Sequence, residues 1–117
     1  VFTHLHGDHT GWNLQRENGR PRFAHARYLV PRGDWDHGMG QDREGSSFNR
    51  DVRPLEVLGV LDLIEGEHVI SASLTTLPTP GHTPGHTTIV VRSGGQELAK
   101  ELEAEGYDQI IKETAAV

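Results

Sequence analysis

The chain has 117 residues, a formal net charge of −6 with histidines neutral, and no cysteine. This length predicts a single globular domain. The absence of cysteine excludes disulfides and thiolate metal ligands, and the acidic charge argues against a nucleic-acid partner. No apolar run reaches the roughly 20 residues that a membrane-spanning helix needs, so we expect no membrane partner. The sequence does not assign a compartment, and we favour the cytoplasm.

The first half of the chain contains few strong helix or strand patterns. Residues 1–3 resemble the end of a strand whose beginning is absent, so we interpret the chain as a fragment, and residues 4–11 are predicted to be the following loop. Residues 12–17 are predicted to begin a short helix and residues 26–30 to form a short strand. The segment 33–50 is rich in Gly, Asp and Ser, which predicts a solvated loop or a lid.

The second half of the chain has clearer periodicity. Residues 51–58 carry apolar side chains at helical spacing and predict a helix. Strands are predicted for four segments, residues 61–65, 68–72, 74–77 and 87–92, the last of which is the most β-branched. From residue 96 the composition is charged and helix-favouring. We therefore predict a folded domain over residues 1–93 and a charged helical tail over residues 94–117.

Three histidines and one aspartate lie within six residues near the start of the chain: His4, His6, Asp8 and His9. Neutral imidazole and carboxylate are ordinary ligands for zinc and for other first-row divalent ions. If the segment is roughly extended, His4 and His6 would bind one metal ion, and Asp8 and His9 would bind a second. The cluster therefore predicts a metal site, with a polar surface loop as the alternative.

A second cluster, residues 79–86 with the sequence Thr-Pro-Gly-His-Thr-Pro-Gly-His, places His82 and His86 in a loop after a predicted strand. Its prolines and glycines fix a tight backbone turn. A catalytic zinc ion usually has three protein ligands and an open position. His82 is therefore the candidate third ligand for the ion bound by His4 and His6.

Other histidines and acidic residues stand apart from these clusters. His25, His37 and His68 are isolated, and we expect them to be exposed or hydrogen-bonded in an ordinary way. Asp34 and its neighbours up to His37 are predicted to form a capped helix turn, and a role in lining a substrate pocket is the alternative.

The two clusters resemble the metal-binding motifs of the metallo-β-lactamase-fold hydrolases. Residues 3–9 are similar to the HxHxDH signature of that superfamily, the match continues to Asn13, and residues 79–86 resemble its next metal loop. The resemblance implies an α/β (α+β) fold that is part of a four-layer αββα sandwich. It also implies hydrolysis of a small-molecule ester, lactone or thioester by a metal-bound hydroxide, with one or two Zn²⁺ ions, or Mn²⁺ or Fe²⁺, as cofactor.

The resemblance also implies roles for residues by their position in the motifs. One metal ion would be bound by three histidines and the second by an aspartate–histidine pair: these sets are His4, His6 and His82, and Asp8 and His9. Asp8 is implied to be the catalytic residue, which orients the hydroxide and takes up a proton. His86 falls where the family has a supporting histidine beside the ligands.

Two ligands of the family pattern are not matched. The family has a bridging aspartate on a strand after the second motif and a last histidine much later, whereas no histidine follows His86. Asp108 is the one aspartate after that motif and is the remaining candidate for the bridge, although its charged, helix-favouring surroundings have the wrong period for a strand. Residues 94–117 do not resemble the family.

Three functions are therefore weighed. The first is a metal-dependent hydrolase acting on a small molecule. The second is a truncated, catalytically inactive fragment that binds one metal ion through His4, His6 and His82, and whose unpaired strand edges would favour self-association. The third is a nuclease of the same superfamily, which the acidic charge disfavours.

Overall fold

The computed structural model describes residues 1–93 and 96–100. The helices of this part of the chain lie mostly in its first half and the strands mostly in its second. Their order is α1 (Gly7–Thr10), β1 (Tyr28–Pro31), α2 (Arg32–Gln41), α3 (Ser47–Asp51), α4 (Pro54–Val57), β2 (Leu61–Ile64), β3 (His68–Val69), β4 (Leu74–Pro78), β5 (Thr87–Ser93) and β6 (Gln96–Lys100). The mixture confirms the predicted α/β class. Within the described residues, no helix is both long enough and apolar enough to cross a bilayer.

The strands form two sheets. β1 and β2 pair in parallel, with Tyr28 opposite Leu61. The other four strands form an antiparallel sheet in the order β3, β4, β5, β6. β5 pairs with β4 on one side and with β6 on the other, and its β-branched run suits a strand with neighbours on both sides.

Phe2 and Thr3 connect the two sheets through their backbone. The amide of Phe2 donates to the carbonyl oxygen of Leu29 in β1 at 3.0 Å, and the amide of Thr87 at the start of β5 donates to the carbonyl oxygen of Thr3 at 2.8 Å. The chain thus crosses from one sheet to the other immediately before His4. This crossing brings the first histidine cluster to the end of the sheet where the β4–β5 loop lies.

The hydrophobic core is built around β1 and the helices that follow it. Its buried side chains are Tyr28, Val30, Trp35, Val52 and Leu55. Trp35 of α2 packs edge-on against Phe48 of α3, with ring centroids 5.3 Å apart. Phe2 and Leu5 pack against the same core, so the chain is held against the core on both sides of His4.

Gly38 of α2 lies directly against the ring of Phe48. A β-carbon at Gly38 would overlap that ring, which is itself held against Trp35. We expect Gly38→Ala to lower the free energy of unfolding by about 1–3 kcal/mol, the usual cost of overpacking. Denaturant titration measures this change.

Gly40→Ala is the matched control on the same helix, because a β-carbon there would have no heavy atom of the described residues within 4 Å apart from its chain neighbours and the backbone of its own helix. Alanine has the higher helix propensity, so this variant should gain up to about 1 kcal/mol. Equal stabilities for the two variants would contradict the packing of Gly38 against Phe48.

The prediction of a loop at residues 33–50 is wrong, because this segment contains α2 and α3. The glycine-rich composition of α2 hides its helical pattern. The helix forms because Trp35 is buried in the core and Met39 packs against the same core. α3 begins at a conventional cap, since the Ser46 hydroxyl accepts a hydrogen bond from the Asn49 amide at 3.1 Å.

The helix predicted at residues 12–17 is also absent from this stretch. Leu14 and Pro21 instead form an antiparallel bridge, and the amide of Gln15 donates to the carbonyl oxygen of Arg20 at 2.8 Å. Gly19 makes the turn possible with a φ of 69°. In the predicted loop at residues 4–11, the structure adds the single-turn helix α1.

The later strands agree with prediction better than the tail does. Three of the four strands predicted in the second half are confirmed to within a residue or two. The strand predicted at 68–72 is shorter and covers His68–Val69. The helix predicted at 51–58 is also shorter and covers Pro54–Val57. The helical prediction is wrong where the tail begins: Gln96–Lys100 is a strand that pairs antiparallel with β5. Residues 101–117, with Asp108, lie outside the described residues, and a domain division after residue 93 stays a prediction.

Candidate metal centre

Two loops carry the candidate ligands. The first follows Thr3 and leads into α1, where His6 occupies the N-cap position. The second joins β4 to β5 and is closed at its base, where the amide of Thr79 donates to the carbonyl oxygen of His86 at 2.8 Å. Because Thr87 bonds directly to Thr3, the two loops lie at the same end of the sheet.

Three of the predicted ligands converge on one point: His4, His6 and His82. Each offers a ring nitrogen, and these nitrogens all lie within 4.8 Å of one another. The ring centroids are 4.8 Å apart for His4–His6, 4.7 Å for His4–His82 and 5.0 Å for His6–His82. His4 is buried and the other two are exposed, so the group is open on one side. Three nitrogen donors with one open side match the ligand set of a catalytic divalent metal.

The surroundings of His4 favour the form of imidazole that binds metals. Burial and the neighbouring imidazoles together lower the pKa of His4 to about 4; after burial, the contributors in decreasing order are His9, His6, His82 and His86. The ring is therefore neutral at pH 7, as coordination requires. Its Nδ1 lies 3.1 Å from the Thr3 hydroxyl. When Nδ1 carries the hydrogen and donates it there, Nε2 is left free as a ligand.

Asp8 and His9 lie on α1 beside this group. The ring centroid of His9 is 4.2 Å from that of His4. The Asp8 carboxylate lies 3.5 Å from Nε2 of His9, and its side chain is 79% exposed. Neither residue belongs to the three-nitrogen group. The structure thus brings the first predicted ligand set together and places the second predicted pair next to it, with the Asp8 carboxylate turned toward solvent.

His86 is buried beside the group, with its ring centroid 5.3 Å from that of His4. Its Nδ1 lies 2.9 Å from the Thr79 hydroxyl and 3.1 Å from the Thr79 carbonyl oxygen. Because a carbonyl can only accept, the bond to it requires the hydrogen on Nδ1, which leaves a lone pair on Nε2. Within the described residues, this buried Nε2 has no hydrogen-bond partner.

An unsatisfied buried acceptor is costly, and a metal ion or a water molecule bound at the site would satisfy the His86 Nε2. The donors gathered here are nitrogen and oxygen, without sulfur, and such a set suits Zn²⁺, Mn²⁺ or Fe²⁺. The residues present therefore fit a divalent metal ion.

One residue of the site was not singled out by the sequence motifs. Asp34, in the first turn of α2, is buried and hydrogen-bonded to both ligand loops. The sequence predicts a helix turn around Asp34, but its partners are 29 to 51 positions away along the chain. No local pattern could have identified them.

A cavity of about 480 Å³ lies next to the exposed histidines. His6 and His82 line one side of it, and Phe48 contributes an apolar wall. His37 and Gln41 from α2 add polar groups, and they are hydrogen-bonded to each other at 3.1 Å. The volume is in the range of small-molecule binding sites, so the open side of the histidine group faces a space that a small substrate could occupy.

Comparison with known proteins extends these observations. A family model described as the metallo-beta-lactamase superfamily matches residues 1–99. N-acyl homoserine lactonase AttM from Rhizobium radiobacter is 31% identical over an alignment of 98 residues, and the alignment covers 79% of this chain and 35% of AttM. A probable metal-dependent hydrolase from Staphylococcus aureus has a similar fold, with a TM-score of 0.69 and 21% identity over 83% of this chain and 35% of that one.

The fold is also shared with AidC, a dizinc quorum-quenching lactonase whose structure was solved in complex with a product. The TM-score is 0.61 and the identity 20%, over 83% of this chain and 38% of AidC. The chain spans about a third of the length of these relatives. The family match covers both histidine motifs and confirms the resemblance that they suggest. The chain belongs to the metallo-β-lactamase superfamily.

Proposed function

We propose that this chain carries metal-binding and catalytic residues of a hydrolase that opens the ring of N-acyl homoserine lactones. The observation that carries the proposal is the convergence of His4, His6 and His82 from two separate loops around one point. The relatives support the substrate class, because AttM is named as an N-acyl homoserine lactonase and AidC as a quorum-quenching lactonase.

The first proposed ligand set rests on the convergence of three histidines, and the second rests on the family motif. His4, His6 and His82 would hold one ion, and Asp8 and His9 would help to hold a second. Zn²⁺ is the proposed metal because AidC is a dizinc enzyme, although the same donors accept Mn²⁺ or Fe²⁺. His86, whose buried Nε2 has no hydrogen-bond partner among the described residues, would support the site beside His4.

The proposed reaction adds water to the lactone carbonyl carbon and breaks the ring C–O bond, giving an N-acyl homoserine. When bound, the metal ions supply Lewis acidity and an activated water. The exposed Asp8 carboxylate would accept a hydrogen bond from the attacking water, take up the proton that it loses, and return this proton to the ring oxygen as the C–O bond breaks. The cavity beside His6 and His82 would receive the substrate, with its acyl chain against Phe48.

Ring opening itself is the direct test of the proposal. We expect the Zn²⁺-loaded chain to hydrolyse N-hexanoyl-homoserine lactone faster than buffer containing the same Zn²⁺, because spontaneous opening lacks an oriented water. Proton release followed with a pH indicator measures the rate. Removal of the metal with a chelator should return the rate to that of buffer. A rate equal to buffer under every metal tested would reject the proposed function for this chain.

A second candidate is metal binding without hydrolysis. It is favoured by one observation: in the described part of the chain, the three-nitrogen group includes neither Asp8 nor His9. This candidate predicts one metal equivalent per chain, whereas the dinuclear hydrolase predicts about two. Elemental analysis of the purified chain distinguishes them.

A further inference from the structure

The carboxylate of Asp34 joins the two ligand loops. Its Oδ2 accepts hydrogen bonds from the amide of Leu5 at 2.9 Å and from the hydroxyl of Thr83 at 2.8 Å. Its Oδ1 accepts a hydrogen bond from the amide of Gly85 at 2.7 Å. One side chain on α2 therefore receives donors from the first histidine loop and from the second.

The donors are neighbours of the candidate ligands in sequence. Leu5 lies between His4 and His6, and Thr83 follows His82 directly. A displacement of either donor would carry an adjacent imidazole with it. The hydrogen bonds to Asp34 therefore restrain the distance between the His4–His6 pair and His82.

The backbone around Asp34 leaves little room for a different arrangement. Asp34 is 4% exposed. A β-carbon at Gly33 would lie 2.9 Å from the Gly85 Cα, and one at Gly85 would lie 2.5 Å from the Asp34 nitrogen. The first turn of α2 and the second loop are thus in direct backbone contact. This contact fixes the carboxylate where both loops can reach it.

We propose that Asp34 is a positioning residue that holds the two loops at the separation needed for a shared metal ion. It acts through the backbone and hydroxyl donors beside the histidines. The proposal rests on the metal site of the proposed function. A buried carboxylate with three donors is well suited to this role, because charge-assisted hydrogen bonds are short and strong. Loss of the acceptor would leave the buried Thr83 hydroxyl and two partly buried amides without this partner.

The test compares Asp34→Asn with Asp36→Asn in the full chain, using Co²⁺ as a probe whose visible absorption reports coordination geometry. Asparagine keeps the shape of the side chain but offers one oxygen and a donor group, so at least one of the three bonds is lost. We expect Asp34→Asn to weaken Co²⁺ binding about 10- to 100-fold, the range found for hydrogen-bond partners of metal ligands, and to alter the absorption spectrum of the bound ion. Asp36 is exposed on the same helix, and Asp36→Asn should change neither.

If Asp34 had only a structural role, Asp34→Asn would lower the stability of the metal-free fold, but the absorption spectrum of the Co²⁺ that still binds would be unchanged. Thermal unfolding followed by circular dichroism in the absence of metal measures this stability. If Asp34→Asn fails to fold, Thr83 offers a milder variant: Thr83→Ala removes one donor, and Thr83→Ser retains the hydroxyl. We expect the alanine variant to weaken binding and the serine variant to restore it.

Wild-type affinity and spectrum in Asp34→Asn, or in Thr83→Ala if Asp34→Asn does not fold, would overturn the inference while leaving the proposed function intact. Conversely, an unmodified chain that binds Co²⁺ but opens no lactone would reject the function and leave the inference standing. Failure of the unmodified chain to bind Co²⁺ at all would remove the metal site on which both depend.

Discussion

Replacement of His6 by alanine is expected to lower the Zn²⁺ affinity of the chain by at least about 100-fold, since loss of a ligand should cost more than the roughly 10- to 100-fold caused by loss of a ligand's hydrogen-bond partner. His6 is exposed and makes no side-chain cap to α1. The fold should therefore survive the change. Competition of the chain with a chromophoric chelator measures the affinity, and circular dichroism verifies that the protein is folded.

His37→Ala is the control for this experiment. His37 is also exposed and lines the same cavity, and its contact is a hydrogen bond to Gln41, away from the three-nitrogen group. It should leave metal stoichiometry and affinity unchanged. Loss of binding in His37→Ala together with normal binding in His6→Ala would reverse the assignment of the site.

Asp8→Asn is expected to reduce lactone hydrolysis by about 10²- to 10⁴-fold, the usual contribution of a positioned acid–base group. An amide cannot take up the proton released by the attacking water, and it is a weaker metal ligand than a carboxylate. The first site should keep its ion, because the nitrogens of His4, His6 and His82 are unaltered. Initial rates at saturating Zn²⁺, combined with metal analysis of the variant, separate these effects.

Asp36→Asn is the matched control for Asp8→Asn, because both aspartates are exposed and both changes remove one negative charge. Its rate should equal that of the unmodified chain. A normal rate in Asp8→Asn would show that proton transfer does not depend on this carboxylate, and a loss of the first metal ion would show that Asp8 supports the three-nitrogen group.

The candidate site could be predicted from the sequence because its ligands lie in two short motifs. His4 and His6 are two positions apart, and the Pro-Gly turn before His82 defines a loop by its chemistry alone. That the two loops lie close together was inferred from the need for a third ligand and from the family resemblance. The structure shows what brings the loops together. The carbonyl oxygen of Thr3 accepts a hydrogen bond from the amide of Thr87, and both loops donate hydrogen bonds to Asp34.

Neither α2 nor the strand Gln96–Lys100 could be predicted from the sequence, because the composition of each is misleading. α2 contains three glycines and few apolar residues, so its helical period is weak, and contacts of Trp35 with the core stabilise it instead. Gln96–Lys100 has the composition of a helix but forms a strand, because β5 offers an edge to pair with. Local preference is a weak guide where tertiary pairing supplies the larger energy.

Because the backbone crosses between the sheets at Phe2 and Thr3, a bound metal ion would also affect the stability of the fold. An ion held by His4, which follows this crossing, and by His82, which precedes β5, would cross-link the two sheets. The free energy of metal binding would then be part of the free energy of folding. Removal of the metal with a chelator should therefore lower the thermal unfolding temperature of the chain as well as abolish the proposed hydrolysis. A substitution far from the histidines that lets one sheet slide past the other would be observed first as weak metal binding.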